Sequence, residues 1–253
     1  MSFSGKVVIV TGASSGVGAA TAIAFTKEGA SVVMIGRNQT KLDKVKEKCE
    51  AVGRTPLVIN ADLTDDAELR NIVDKTIEEF NKIDILINNA AILRCGNLRH
   101  GSIMHTYDEI MKTNIRAVVY LTTFATPHLI ESKGNIINIS TIGADRVIWD
   151  EYNAYCVSKA ALSHFTRAAA IELGPHGVRV NTVSPAIVRS DMLRNAGLGG
   201  DADYDDSNYS FKTVMNTWTE PEEIADLILF MASDKAKSIT GSNFVSDNGN
   251  MLI

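Results

Sequence analysis

Val7-Val8-Ile9-Val10-Thr11-Gly12-Ala13-Ser14-Ser15-Gly16-Val17-Gly18 is an apolar run that enters a glycine-rich turn and opens into a helical pattern. Four consecutive apolar residues suit a strand buried on both faces. The pattern from Val17 to Lys27 reads as a helix that ends at Gly29. In this strand–turn–helix context each glycine has a physical task. Gly12 allows a tight turn, Gly16 lets backbone amides approach an anion, and Gly18 lets the helix pack close to the strand. The helix N-terminus adds partial positive charge beside Ser14, Ser15 and Val17. The stretch therefore predicts a cradle for a pyrophosphate. Its spacing is GxxxGxG, not GxxxxGK[ST], which disfavours a P-loop nucleotidase.

Outward from this turn, short apolar runs alternate with longer helical patterns. Strands are expected at Ser31 to Ile35, Leu57 to Ile59, Ile83 to Ile87, Asn135 to Ile139, Val178 to Val183 and Asn243 to Ser246. Helices are expected at Gln39 to Val52, Asp65 to Phe80, Tyr107 to Ile130, a segment ending near Leu173, and Glu220 to Ala232. Apolar strands between helices predict an α/β fold: a three-layer, doubly wound parallel sheet with helices on both faces. The chain of 253 residues is 45% hydrophobic, which suits one large core and a single domain over 1–253. Gly197 to Asn208, rich in Gly and Asp, reads as part of a flap at about 187–218.

Composition excludes several functions. The net charge of -5 and pI near 5.6 weigh against nucleic acid or an anionic membrane surface as the main partner. No apolar run approaches the ~20 residues needed to span a bilayer. Met1 to Lys6 lead straight into a strand, without a signal-peptide pattern. Cys49, Cys95 and Cys156 are odd in number and far apart, which fits a reducing cytoplasm better than a disulfide framework. The histidines show no ligand spacing, so no metal site is expected.

Two further features carry chemistry. The second strand runs into Ile35-Gly36-Arg37-Asn38. A site for NAD would place a carboxylate here for the ribose 2′-hydroxyl. Arg37 instead presents a planar cation suited to a 2′-phosphate, with Ser14 and Asn38 as helpers, so NADP(H) is expected over NAD(H). The second feature is Tyr155-Cys156-Val157-Ser158-Lys159. On a helix, this spacing puts phenol and ammonium on one face, about 5–6 Å apart at Cβ. Lowering a tyrosine pKa from about 10 to about 7 takes roughly 4 kcal/mol. A cation about 4 Å away supplies about that much at an effective dielectric of about 20. The pair is thus a plausible acid/base device.

Taken in order, these motifs resemble those of the short-chain dehydrogenase/reductase family, over nearly the whole chain. Thr11 to Gly18 matches TGxxxGxG, and Asp62, followed by Leu63, matches the acid whose segment contacts adenine. Asn88-Asn89-Ala90-Ala91 resembles NNAG, Asn114 the family's helix asparagine, and Tyr155 and Lys159 match YxxxK. Pro185-Ala186-Ile187-Val188-Arg189-Ser190 resembles PGxxxT, which meets the nicotinamide carboxamide. The resemblance implies that Tyr155 is the general acid in reduction and the base in oxidation. It implies that Lys159 lowers the tyrosine pKa and holds the ribose hydroxyls, and that Asn114 holds a relay water. It also implies a hydroxyl residue on the substrate oxygen. Aligned from the strand, that residue is Thr141, with Ser140 the alternative. Counting back from Tyr155 lands on Ile142, which implies one extra residue between Gly143 and Tyr152.

The family's variable segments correspond to Ile92 to His105, Ile142 to Tyr152 and Ile187 to Trp218. Trp149, Tyr152, Met192, Leu193 and Phe211 would form an apolar wall for a small lipophilic carbonyl, such as a steroid, retinoid, isoprenoid or 3-oxoacyl compound. Arg94 and Arg189 are either anion contacts or solvated charges. The expected activity is NADP(H)-dependent carbonyl reduction or secondary-alcohol oxidation. The alternative is a catalytically weak dinucleotide-binding sensor or scaffold. The resemblance also implies a homo-oligomer, tetramer or dimer.

Overall fold

The chain folds around a seven-stranded sheet in which every pairing is parallel. The computed structural model describes residues 1–147, 150–196 and 212–253. In chain order the elements open with β1 (Val7–Thr11), α1 (Gly16–Lys27), β2 (Ser31–Gly36), α2 (Gln39–Glu50), β3 (Leu57–Asn60) and α3 (Asp66–Phe80). There follow β4 (Ile85–Asn88), α4 (Ile103–Met111), α5 (Ala117–Ser132), β5 (Asn135–Ile139) and α6 (Asn153–Leu173). The chain continues with β6 (Arg179–Pro185), α7 (Met192–Asn195), α8 (Pro221–Ala232) and β7 (Asn243–Ser246). The strand order is β3-β2-β1-β4-β5-β6-β7. The chain winds outward from β1 to β3, then returns to β4 on the other side of β1. That reversal opens a crevice beyond the carboxyl ends of β1 and β4, where ligands bind in folds of this kind.

The sheet is covered on both faces because its strands are apolar on both. In β1, Val8 and Val10 enter one core with Ala22 and Phe25 of α1 and Ile224 and Ile228 of α8. Val7 and Ile9 enter the opposite core with Leu69 and Ile72 of α3, Leu121 of α5 and Ala169 of α6. Strand alternation sends neighbouring residues to opposite faces. Side-chain caps fix where the helices start. Asp65 accepts the Ala67 and Glu68 amides at the start of α3, and Glu220 with Glu223 forms a capping box at α8.

Several boundaries differ from expectation by a residue or more, and two of them are instructive. The fourth strand begins at Ile85. Just before it, the Asp84 carboxylate accepts the Val7 amide at 2.8 Å and pairs with Lys6 at 3.1 Å and Lys82 at 3.0 Å. The helix expected from Tyr107 to Ile130 starts earlier, at Ile103, and is interrupted by a π-helical turn at Lys112–Arg116. Periodicity alone does not reveal such a turn, because one inserted residue leaves both flanking helices in register with their own cores. It falls at Asn114, and π-turns are frequent at functional sites.

Candidate active site

The crevice gathers residues from the carboxyl end of each central strand. Gly12 follows β1, Arg37 follows β2, Asp62 and Leu63 follow β3, Asn89 and Ala90 follow β4, Thr141 follows β5, and Pro185, Val188 and Ser190 come from β6 and beyond. Ser14, Ser15, Gly16, Val17, Tyr155 and Lys159 complete the lining. The sequence-predicted residues outside this cleft are Gly18, Asn38 and Asn114.

The glycine turn is shaped by close approach. Gly12 has φ +66° and a Cβ there would lie 2.9 Å from the Ala90 Cα. At Gly18 a Cβ would overlap the Gly12 carbonyl and the Asn89 side chain. Helix α1 thus lies against β1 as closely as backbone allows, with its N-terminus facing the cleft. Ser15 caps it in extended conformation with no side-chain cap bond. Thr11, the first residue of the TGxxxGxG match, ties the turn to β4. Its hydroxyl accepts the Asn89 and Ala90 amides, both at 3.0 Å, and donates to the Ile87 carbonyl at 3.2 Å. At the far end, the Thr64 amide donates to Asp62 Oδ1 at 2.9 Å. That bond holds the Asp62 carboxyl below its ordinary range despite partial burial, with Arg37 adding to it. Asn38 is occupied as the cap of α2, accepting from the Lys41 amide at 3.0 Å.

Around Tyr155 the geometry separates the two candidate hydroxyls. Ser140 Oγ lies 3.1 Å from both the Lys159 carbonyl and Ser163 Oγ, so it is spent anchoring α6 to β5. Thr141 lies two residues past β5 and, like Ser140, borders the cleft. Its Oγ1 accepts the Gly143 amide at 3.3 Å, which leaves its proton free to donate. Ile142 is fully buried and has no part in the cleft.

Lys159 is 2% exposed and donates to the Ile139 carbonyl at 2.7 Å. Its Nζ is 5.8 Å from the centroid of the Tyr155 ring. Burial drives both groups toward neutrality. Lys159 is lowered to about 7 by burial. The Tyr155 phenol is pushed above its ordinary range by burial, with Cys156 adding to the effect. The expected lowering of the tyrosine by its lysine is therefore not what the protein's own groups produce. The ammonium is directed at a carbonyl, and desolvation outweighs an attraction across this distance. The phenol donates to Met192 Sδ at 3.8 Å.

Asn114 is fully buried within the π-turn. Its Oδ1 accepts the Ile92 amide at 2.9 Å, and its Nδ2 donates to the Ile92 carbonyl at 3.0 Å and Ser158 Oγ at 3.1 Å. Ser158 donates in turn to the Tyr155 carbonyl at 2.7 Å. The side chain is a clamp between the loop after β4 and helix α6. Tyr152, Met192 and Leu193 line the cleft as expected, with Cys156 and Leu93 beside them. Trp149, Phe211 and the Gly197 to Asn208 stretch lie outside the described residues. Arg94 and Arg189 are paired with Glu109 at 3.1 Å and Glu220 at 2.8 Å.

The family described as enoyl-(acyl carrier protein) reductase has a profile that matches residues 12–250. The chain is 33% identical over 249 residues to meso-2,3-butanediol dehydrogenase of Serratia marcescens, covering 98% of this chain and 96% of that protein. The chain belongs to the short-chain dehydrogenase/reductase family. Solved members superpose over the whole fold. One from Caenorhabditis elegans, with cofactor, has a TM-score of 0.91 at 33% identity, covering 99% of this chain and 97% of that one. One from Burkholderia cenocepacia J2315, in complex with NADP, has a TM-score of 0.88 at 33% identity, covering 99% and 100%. The chain is thus an oxidoreductase of the alcohol/carbonyl class with a Rossmann-type site for a nicotinamide dinucleotide. No helix among the described residues is long and apolar enough to cross a membrane.

Proposed function

We propose that the protein is an NADP(H)-dependent carbonyl reductase and secondary-alcohol dehydrogenase acting on a lipophilic ketone/alcohol pair. The observation that carries the cofactor preference is Arg37, which lines the cleft where β2 ends, with no acidic residue at Gly36. The NADP complex of the Burkholderia relative is consistent with it. The fit of a dinucleotide rests on the turn itself: at Gly12 and Gly18 a Cβ would collide with backbone, which holds α1 end-on to the cleft. Ser14, Ser15, Gly16 and Val17 would hold the pyrophosphate and Arg37 the 2′-phosphate. Asp62 and Leu63 would hold the adenine, and Asn89, Ala90, Pro185, Val188 and Ser190 the nicotinamide half. When bound, the dinucleotide supplies or accepts the hydride.

The chain's own groups then manage the substrate oxygen and its proton. Thr141 donates to the oxygen and stabilises the charge that develops on it. Tyr155 gives the oxygen its proton in reduction and takes it back in oxidation. Lys159 lies behind Tyr155 and exchanges protons near neutrality. The Asn114 side chain is engaged with Ile92 and Ser158, so it positions the helix that carries Tyr155 and Lys159. Tyr152, Met192, Leu193 and Cys156 give the substrate end an apolar wall, which supports a lipophilic substrate.

Equilibrium titration with NADPH and NADH tests the preference. NADPH binds more tightly to the wild type. Arg37→Ala removes about 1.5–3 kcal/mol from NADPH binding, the worth of a charge-assisted hydrogen bond, and leaves NADH nearly unchanged. Tighter binding of NADH by the wild type would overturn the assignment.

A further inference from the structure

The segment after β6 crosses the mouth of the cleft, and its attachments are specific. At one end, Tyr155 donates to Met192 Sδ at 3.8 Å, so the segment lies on the phenol. Gly16 makes the crossing possible, because a Cβ there would lie 2.9 Å from the Ser190 Cβ. Between these contacts, the Asp191 carboxylate meets Lys41 Nζ of α2 at 2.5 Å, a bond between residues 150 positions apart. Arg194 approaches the other carboxylate oxygen at 3.7 Å. The Lys41 bond most strongly, with the Lys41 and Arg194 charges and Ser15 of the glycine turn, holds Asp191 below its ordinary range despite partial burial. Arg94 Nη1 adds a second tie, donating to the Asn195 carbonyl at 3.4 Å.

We propose that the Lys41–Asp191 ion pair is a latch that holds the Ser190–Asn195 segment across the dinucleotide cleft and sets the rate at which the cofactor leaves. This rests on the reading of the cleft as a dinucleotide site. Asp191 lines the cleft, and Lys41 lies on the adjoining surface beside Ser14, Ser15 and Arg37, so the bond ties the segment to α2 at the edge of the cleft. With the segment tied down in this way, a dinucleotide seated on the turn would be released when the bond opens. Both side chains are partly solvent-exposed, at 43% for Lys41 and 23% for Asp191, so the bond can open without unfolding its elements. The latch acts on position and exit, not on the 2′-phosphate, so it retains NADPH and NADH alike. A free Lys41 acting as a phosphate ligand would behave otherwise, and Asp191 would then compete with NADPH for it.

Stopped-flow release of NADPH and of NADH from the wild type, Lys41→Met, Asp191→Asn and the charge-swapped Lys41→Asp/Asp191→Lys double variant separates these. The latch predicts that each single variant releases both dinucleotides about three- to five-fold faster, the scale of a partly exposed ion pair, and that the swap restores much of the slow release. Unchanged release in both single variants would overturn the latch and leave the cofactor site standing. Slower NADPH release in Asp191→Asn, with NADH unaffected, would overturn it in favour of Lys41 as a phosphate ligand. Failure of the wild type to bind either dinucleotide would overturn the cofactor reading and the latch together.

Discussion

The two hydroxyl residues after β5 differ in what already occupies them. Both border the cleft, but Ser140 is bonded to the α6 backbone and Ser163, whereas Thr141 has a donor to spare. Thr141→Ala is therefore expected to lower kcat about 10²–10³-fold, as loss of an oxyanion donor does, with NADPH affinity unchanged. Ser140→Ala should cost stability and leave most of the turnover. Steady-state kinetics and thermal unfolding of the two variants distinguish them; the reverse pattern would move the role to Ser140. Tyr155 and Lys159 could be proposed from spacing and residue type, and Thr141 only from the family resemblance, with Ser140 as its alternative. The anchoring of Ser140 was not, since its partners lie on α6. Likewise, Asp191 carries no local signal, because Lys41 meets it only through the fold.

The π-turn at Lys112–Arg116 shows what periodicity misses. The apolar pattern on either side is helical, and the sequence supports one long helix. The distortion brings the Asn114 amide to Ile92 and Ser158, which joins the loop after β4 to the helix carrying Tyr155 and Lys159. Asn114→Ala would leave the buried Ile92 amide and carbonyl without this partner. The expected cost is about 1–3 kcal/mol of stability, and kcat should fall more than NADPH affinity. Denaturant unfolding and cofactor titration check the two halves. Other elements were legible almost to the residue. The β1–turn–α1 unit is specified by local chemistry: an apolar strand, glycines where a Cβ would collide, and a helix start.

Across the whole molecule, seven apolar runs and the helices between them were enough to imply a doubly wound parallel sheet. Its strand order places the reversal beside β1, so the cleft follows from topology. The electrostatics of the pair inside it depend on burial, which a sequence does not display. Lys159 titrates near 7 in the folded protein, whereas an unfolded lysine holds its proton to about 10.4. Between those values the unfolded chain binds more protons, so Lys159 makes stability rise with pH from about 7 to about 10. Below that window both states carry the proton and the increment is absent. Lys159→Met should flatten this rise, by up to a few kcal/mol, in denaturant unfolding of the protein without added dinucleotide. The raised Tyr155 phenol contributes the opposite slope only above about 10, where an unfolded tyrosine ionises first. The central claim is that this cleft reduces carbonyls with NADPH through Tyr155. Its most direct test is NADPH consumption, followed by absorbance, with a panel of lipophilic ketones and with wild type and Tyr155→Phe side by side. The account predicts turnover of at least one ketone by the wild type and a loss of about 10²–10⁴-fold in the variant, with NADPH still bound. Tight NADPH binding with no carbonyl reduced, or equal rates for the two proteins, would contradict it.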